Sequence, residues 1–336
     1  MKSIIVKKEW DGRRLTRFLQ KALPAAGMGQ IQRFLRLGRV KVDGRRADES
    51  AVLHAGQQID LYVEDRLFDA PARENPFYSK IHPKLTILYE DEHIMLLDKR
   101  AGLICHPDEG EKIHTLLTYA QAYLYQKGEW DPQSGFVPAL CNRIDRFTAG
   151  IVIVAKDADA LRTMDAKIRT HEVQKYYLCA VHGHMKYPDG ALRHYLLKTP
   201  EQKKVRVVHK NEPGAKEAVT YYQAVDEQNG LTLCECLLGT GRTHQIRAQF
   251  AAIGHPLLGD NQYGSAKLNE RCGRANGQAL CAYRLIFDFK GDAGCLSGLN
   301  GLTVQVRDVP FVREYFPGVV IPRIENTQKT RKGEER

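Results

Sequence analysis

Gly150-Ile151-Val152-Ile153-Val154-Ala155 is a short, unbroken apolar run, and it constrains the fold more than any other segment. Six such residues with no polar face read as a buried strand, which needs a sheet around it. The neighbouring sequence supplies candidates. Residues 85–89 and 93–98 read as strands across the turn Glu90-Asp91-Glu92, and 173–181, 218–225 and 231–237 read as further strands. Residues 115–125 read as a helix. Asp157 is placed to cap another, with Leu161, Met164 and Ile168 turned inward. Residues 243 to about 254 read as an amphipathic helix. Strands mixed with helices in this order predict an α+β class, with a mixed, largely antiparallel sheet.

Ahead of this lies a small basic unit. Leu15, Phe18, Leu19, Ala22 and Leu23 follow helical spacing, and Arg14, Arg17 and Lys21 fall on another face. A second helix carries Ile31, Phe34 and Leu35 inward and Arg33 and Arg36 outward, and Gly38 reads as its stop. Arg39-Val40-Lys41-Val42-Asp43-Gly44-Arg45-Arg46 alternates around an Asp-Gly pair and predicts a hairpin. Residues 56–63 close the unit as a strand. The chain carries a formal net charge of +10, and residues 1–64, with 13 basic and 7 acidic side chains, hold +6 of it. Charge of this kind suits a polyanionic partner, and each side chain that neutralises a phosphate releases counterions. The same count also fits a solvated face, so pattern has to decide.

Residues 65–82 read as a linker broken by Pro71, Asn75-Pro76 and His82-Pro83. The catalytic part is expected over 83–319. Residues 320–336, with Lys329, Arg331, Lys332 and Arg336, read as a basic mobile tail. The first residues lack the apolar stretch of a signal peptide, and no run reaches the length of a membrane-spanning helix. Eight cysteines are dispersed without a C-x-x-C pair, which supports neither a zinc ribbon nor a disulfide framework. Free thiols without an export signal place the expectation in the cytoplasm.

Three segments can carry chemistry. In Arg143-Ile144-Asp145-Arg146-Phe147-Thr148-Ala149-Gly150 an acid stands between two arginines just before the buried strand. Nearby guanidinium groups hold a carboxylate ionised, and an ionised aspartate in a concave site can act as nucleophile or base. Taken alone, such a pattern is more often a structural ion pair. Gly239-Thr240-Gly241-Arg242-Thr243-His244-Gln245-Ile246-Arg247 sets glycines before a helix, where free N–H groups can meet a phosphate, and Arg242 and Arg247 add charge. It has neither the ending of a P-loop nor the spacing of a dinucleotide site. Gln174-Lys175-Tyr176-Tyr177-Leu178 lies in a strand, so one tyrosine faces each side of the sheet. A tyrosine facing a site can stack on a base or move a proton, although two ordinary sheet tyrosines are the better explanation of this segment alone.

Together the segments resemble the RluA-type family of pseudouridine synthases. The match runs through His106-Pro107 with Thr115-Leu116-Leu117, Asn142 to Gly150, Lys175-Tyr176-Tyr177-Leu178, Gly241 to Arg247, Gly254-His255-Pro256-Leu257-Leu258-Gly259-Asp260 and Leu280-Cys281-Ala282-Tyr283-Arg284-Leu285. Ordered motifs at workable distances are specific where one alone is not. The N-terminal unit resembles an S4-type RNA-binding domain over most of residues 13–63, with Thr16 where many members carry Asp. The family's HRLDxxTSG reads here as NRIDRFTAG, with Asn142, Ile144 and Ala149 substituted and Arg143 and Asp145 kept.

The resemblance implies an RNA pseudouridine synthase that works as a monomer without cofactor or metal. It acts on structured RNA, ribosomal first and transfer RNA second, and not on a membrane. A uridine is flipped into the pocket. Asp145 attacks C1′ of its ribose or removes a proton while the N-glycosidic bond breaks, Arg247 pairs with Asp145, and Tyr177 stacks on the base or assists proton removal. Arg143 fills the gap left by the base and Arg242 meets phosphate, while Arg14, Arg17, Arg33, Arg36 and Lys41 contact RNA from the N-terminal unit. Three rivals are weaker. A non-catalytic RNA-binding factor would not need Asp145, Tyr177 and Arg247 together. A metal-dependent hydrolase built on His182 and His184 lacks a third nearby ligand. A glycosidase would want two paired carboxylates.

Overall fold

The computed structural model describes residues 2–24, 26, 28–68, 76–199, 204–273 and 277–321. Two compact units emerge, one of residues 1–80 with 131–135, the other of 81–130 with 136–336.

In the first unit, β1 (Lys2–Ile5), α1 (Leu15–Ala22), α2 (Met28–Arg36), β2 (Val40–Val42), β3 (Arg45–Arg46) and β4 (Gln58–Leu61) follow in order, and α3 (Pro76–Ser79) comes last. The strands form one sheet in the order β1-β4-β2-β3, with every pair antiparallel. The core holds Leu15, Phe18, Leu19 and Leu23 from the first helix, Ile31, Phe34 and Leu35 from the second, and Val40, Ile59 and Leu61 from the sheet. The apolar spacing thus emerges as predicted. Asp43 and Gly44 both have positive φ, 49° and 74°, as a two-residue hairpin turn of this hand demands. β1 was not foreseen. The stretch expected as a linker begins with a 3-10 turn at Asp65–Leu67, whose Leu67 is buried in this core, and contains α3. Pro71 and Asn75 lie outside the described residues, as do Lys329, Arg331, Lys332 and Arg336 of the basic tail.

In the second unit come β5 (Ile87–Glu90), β6 (Ile94–Lys99), α4 (Leu116–Gln126), β7 (Ala139–Leu140), β8 (Ala149–Ala155) and α5 (Ala158–Arg169). Then follow β9 (Val173–His182), β10 (Asp189–Thr199), β11 (Lys204–Val208), β12 (Lys216–Gln228), β13 (Leu231–Leu238) and α6 (Gln245–Ala252). α7 (Ala266–Arg271), β14 (Leu280–Phe287), β15 (Thr303–Gln305) and α8 (Pro310–Tyr315) complete it. The strands make one sheet in the order β11-β10-β12-β13-β9-β14-β8-β6-β5, with β15 joined to β14 and β7 to β8. Of the pairings between these strands among the described residues, only β14–β8 is parallel, so the α+β, largely antiparallel class is the one found.

The sheet buries both faces at its centre. Leu178 and Ala180 of β9 join one core with Ile151, Ile153 and Met164, while Tyr177, Cys179 and Val181 join another with Ile246, Phe250 and Leu257. This is the period-2 alternation of a strand. At the parallel step β8 comes so close to β14 that a Cβ on Gly150 would run into the Ala282 backbone, and Gly150 has a φ of 109°. Only glycine fits there. It fixes where β8 starts and therefore where the Asp145 loop ends.

One helix departs from expectation. α6 is not amphipathic, because Gln245, Ile246, Arg247, Ala248, Gln249 and Phe250 are all buried. Its polar residues are satisfied inside the protein. Gln245 donates to Val219 O and Thr220 Oγ1, and Gln249 donates to Leu192 O and Ala218 O. No described helix is long and apolar enough to cross a membrane.

Candidate active site

A pocket of about 880 Å³ opens in the second unit, lined by the loops before β8 and α6 and by one face of β9. Arg143, Asp145, Tyr177, Arg242 and Arg247 all line it. Five of the ten residues singled out from the sequence therefore meet in one place. The other five, Arg14, Arg17, Arg33, Arg36 and Lys41, belong to the first unit. All of these but Lys41, which is half-buried, are exposed, and none of the five is in an ion pair among the described residues.

Asp145 sits in the loop between β7 and β8, and that loop is clamped from below. Lys99, at the end of β6, is fully buried, and its ammonium donates to Arg100 O, Leu103 O and Arg146 O at 3.2, 2.7 and 3.0 Å. Burial pushes its pKa down to about 8, against the nearby Cys105 and Asp145 groups. Cys105 Sγ meets Ile144 O at 3.4 Å, and Gly102 exchanges two hydrogen bonds with Arg146. The carbonyls on either side of Asp145 are thus held, which leaves its side chain to be oriented from above.

Arg247 supplies that orientation. Its Nη1 donates to Asp145 Oδ2 at 2.9 Å. Its Nε and Nη2 donate to Asp260 Oδ2 and Oδ1 at 2.6 and 3.0 Å, and Nη2 also donates to Gln262 Oε1 at 2.9 Å. Such a fork fixes the plane of the guanidinium. Burial works against the charge of Arg247, but Asp260 first and Asp145 second hold its pKa above the ordinary value. Asp145 Oδ1 accepts no hydrogen bond from the described residues, so one oxygen of the carboxylate is anchored and the other is available to the pocket.

Tyr177 is buried on the same wall. Burial, with the Asp145 charge adding to it, drives its pKa far above the ordinary value, so the phenol keeps its proton. Tyr176 faces the other way, under the Arg284 guanidinium at 4.2 Å from the ring centre. Arg143 is exposed at the rim, and Arg242 is exposed with its Nε on Glu217 O at 3.0 Å. Asn142, where the resembled motif has His, turns inward: its Oδ1 accepts from Ile153 N at 2.8 Å and its Nδ2 reaches Ile151 O at 3.5 Å. It braces β8. The two histidines of the metal reading do not converge on a centre, since buried His182 bonds Asn269 and exposed His184 bonds Glu227.

Sequence reasoning passes over three groups here. Asp260 stands at the end of a motif with no evident task, and only its placement against Arg247 reveals one. Lys99 looks like a strand-end lysine. Phe147, half-exposed on the rim with the Arg146 guanidinium 5.6 Å from its ring centre, reads in the sequence only as a neighbour of Asp145.

Residues 93–252 match the family model for RNA pseudouridylate synthase. An uncharacterized RNA pseudouridine synthase of Aquifex aeolicus is 33% identical over 77% of this chain and 79% of that protein. Ribosomal large subunit pseudouridine synthase C of Vibrio cholerae is 32% identical over 79% of this chain and 81% of its own. Among solved structures, human RNA pseudouridylate synthase domain containing 1 shares the fold with a TM-score of 0.53 at 20% identity, over 69% of this chain and 86% of that one. With the motifs in order, the fold shared and the relatives matched over most of their length, the chain belongs to the RluA-type family of RNA pseudouridine synthases.

Proposed function

We propose that this enzyme isomerises one or a few uridines in structured ribosomal RNA, with Asp145 as the reacting carboxylate and no cofactor. The observation that carries the reading is the carboxylate itself: Oδ2 is held by Arg247, Oδ1 accepts no hydrogen bond from the described residues, and Asp145 and Tyr177 line one pocket of about 880 Å³. The reaction is balanced without an outside reagent. The bond from N1 to C1′ breaks, the uracil turns, C5 bonds to C1′, and the proton lost from C5 is matched by one gained at N1. No oxidation or hydrolysis occurs, so neither a metal nor a redox group is called for. Asp145 either attacks C1′ or takes a proton as the glycosidic bond breaks, and an anchored carboxylate with one free oxygen serves both.

In this reading Tyr177 stacks on the flipped uracil, and its phenol keeps its proton in the free enzyme. Arg143 fills the gap in the RNA and Arg242 meets a phosphate. Ribosomal RNA is favoured over transfer RNA because several relatives carry ribosomal large subunit names. Residues 1–64 serve as an S4-type RNA-binding domain, joined through 65–82 to a catalytic domain at 83–319, with a basic tail from 320. The protein is read as a cytoplasmic monomer, consistent with eight unpaired cysteines.

The test is Asp145→Ala. Pseudouridine formation should fall below detection while RNA affinity stays within about twofold, and wild-type turnover should be the same with and without a chelator. Activity retained by the variant would sink the mechanism. Mapping pseudouridines in total RNA from cells with and without the gene would name the target.

A further inference from the structure

Arg247 is not the only nitrogen-bearing side chain beside Asp145. Nε2 of His244 lies 3.7 Å from the same carboxylate oxygen, Oδ2. His244 precedes α6 with a φ of 52°, in the left-handed region, one of four non-glycine residues with positive φ among those described. The ring is half-buried on the pocket wall.

The other ring nitrogen determines what Nε2 can offer. Nδ1 is 2.9 Å from the hydroxyl of Tyr263, and that hydroxyl also accepts from the Val205 backbone N–H at 2.8 Å. A backbone N–H can only donate, so the phenol oxygen is the acceptor there. The phenol has one hydrogen of its own. Among the described residues, His244 Nδ1 is the acceptor it meets. An O–H donated to Nδ1 requires that nitrogen to be bare, which places the imidazole proton on Nε2. Burial lowers the pKa of His244, and Arg247 acts in the same direction while Asp145 opposes them, so the neutral ring is favoured. In that tautomer a neutral N–H donor faces Asp145 Oδ2. Tyr263 also packs edge-on against His244 and lies 5.0 Å from the Arg247 guanidinium, so it touches both groups that approach the carboxylate.

We propose that His244 is a positioning residue for Asp145. Tyr263 holds it as the Nε2–H tautomer, and the separation to Oδ2 closes to a hydrogen bond when RNA fills the pocket. A gap of 3.7 Å is too long for that bond in the free protein, but such interactions commonly tighten only in the substrate complex. The carboxyl torsion is soft, and a single donor leaves the carboxylate free to swing about it. Two donors on Oδ2, one charged and one neutral, fix its plane and reserve Oδ1 for the reaction. The neutral donor does this without adding a second positive charge to quench the carboxylate. The inference rests on reading Asp145 as the reacting group.

Two measurements test it. In the full-length protein labelled with ¹⁵N-histidine, the His244 imidazole should show a protonated Nε2 and a bare Nδ1 at neutral pH. Tyr263→Phe should mix the tautomers. In single-turnover assays on an unmodified ribosomal RNA transcript carrying the mapped site, His244→Ala should slow pseudouridine formation by about tenfold or more with RNA affinity unchanged. His244→Gln, whose amide nitrogen can stand in for Nε2–H, should recover most of the rate. A protonated Nδ1, a His244→Ala rate within about twofold of wild type, or equal losses in the Ala and Gln variants would each overturn the proposal. Asp145→Asn is the control. If it is inactive while His244→Ala is normal, only this inference fails; if it is active, the reading of Asp145 fails and this inference with it.

Discussion

At the scale of single residues, Arg247 is the hinge of the site. It is buried, and its charge is compensated chiefly by Asp260, which faces it with both oxygens. Removing one partner of a buried pair leaves an uncompensated charge. Asp260→Ala should therefore cost about 3 kcal/mol of stability. It should also lower the turnover rate by about tenfold or more, because Arg247 loses the fork that aims Nη1 at Asp145. RNA affinity should be little changed. Denaturant melts and single-turnover kinetics on the same preparation would check both parts, and an unchanged turnover would show that Arg247 is held by other means. Asp145 and Arg247 were legible from their motifs. Asp260 was not, because an acid at the end of a Gly-rich motif looks the same whether it faces water or a buried arginine 13 residues away.

At the scale of elements, α5 was legible in both its cap and its buried face, whereas α6 was legible as a helix but not in what it buries. Asp157 caps α5 as its position before the apolar spacing predicts, accepting from Asp159 N and Ala160 N at 2.9 and 2.8 Å. The same carboxylate meets His93 Nδ1 at 2.8 Å, and this hydrogen bond, against the effect of burial, raises the His93 pKa. A histidine whose folded pKa is raised adds stability that is fully present below its unfolded pKa and is lost as the pH rises through the folded value. Asp157→Ala should thus cost about 1 kcal/mol from the lost cap at any pH, with a further loss at pH about 6 that has vanished by pH about 9. Denaturation midpoints at the two pH values would show it, and equal losses at both would remove the His93 contribution. α6 misled for the opposite reason. The segment reads as amphipathic, but Gln245, Arg247 and Gln249 each have their polar partners inside the protein. β10, β11 and β15 escaped notice because they pack little apolar surface and owe their place to pairing with neighbours.

At the scale of the whole molecule, charge is unevenly spread. The first 64 residues hold +6 of the +10, and Arg17, Arg33 and Arg36 stand exposed on their two helices. If this unit grips the RNA backbone, replacing these three with Gln should flatten the dependence of log affinity on log salt by roughly 2, at about 0.7 for each phosphate that is no longer neutralised. Turnover at saturating RNA should not change. Filter binding over a salt series would measure the slope, and an unaltered slope would remove the unit from the RNA interface.

What the sequence determined by itself is what depends on short range. Periodicity identified the helices α1, α2 and α5 and the two faces of β9, because side-chain direction repeats every 3.6 or 2 residues, and an unbroken apolar run identified the buried β8. The order of motifs identified the family. Only the tertiary structure decided how those motifs become one site. Asp145 and Arg247 are 102 positions apart; the Asp145 loop is set by β8 lying beside β14, whose other neighbour is β9, an approach that Gly150 alone permits. The tasks of Asp260, Lys99 and the His244–Tyr263 pair rest on distances between segments that no local pattern encodes. A buried polar group is defined by the partner across from it, and the fold chooses that partner.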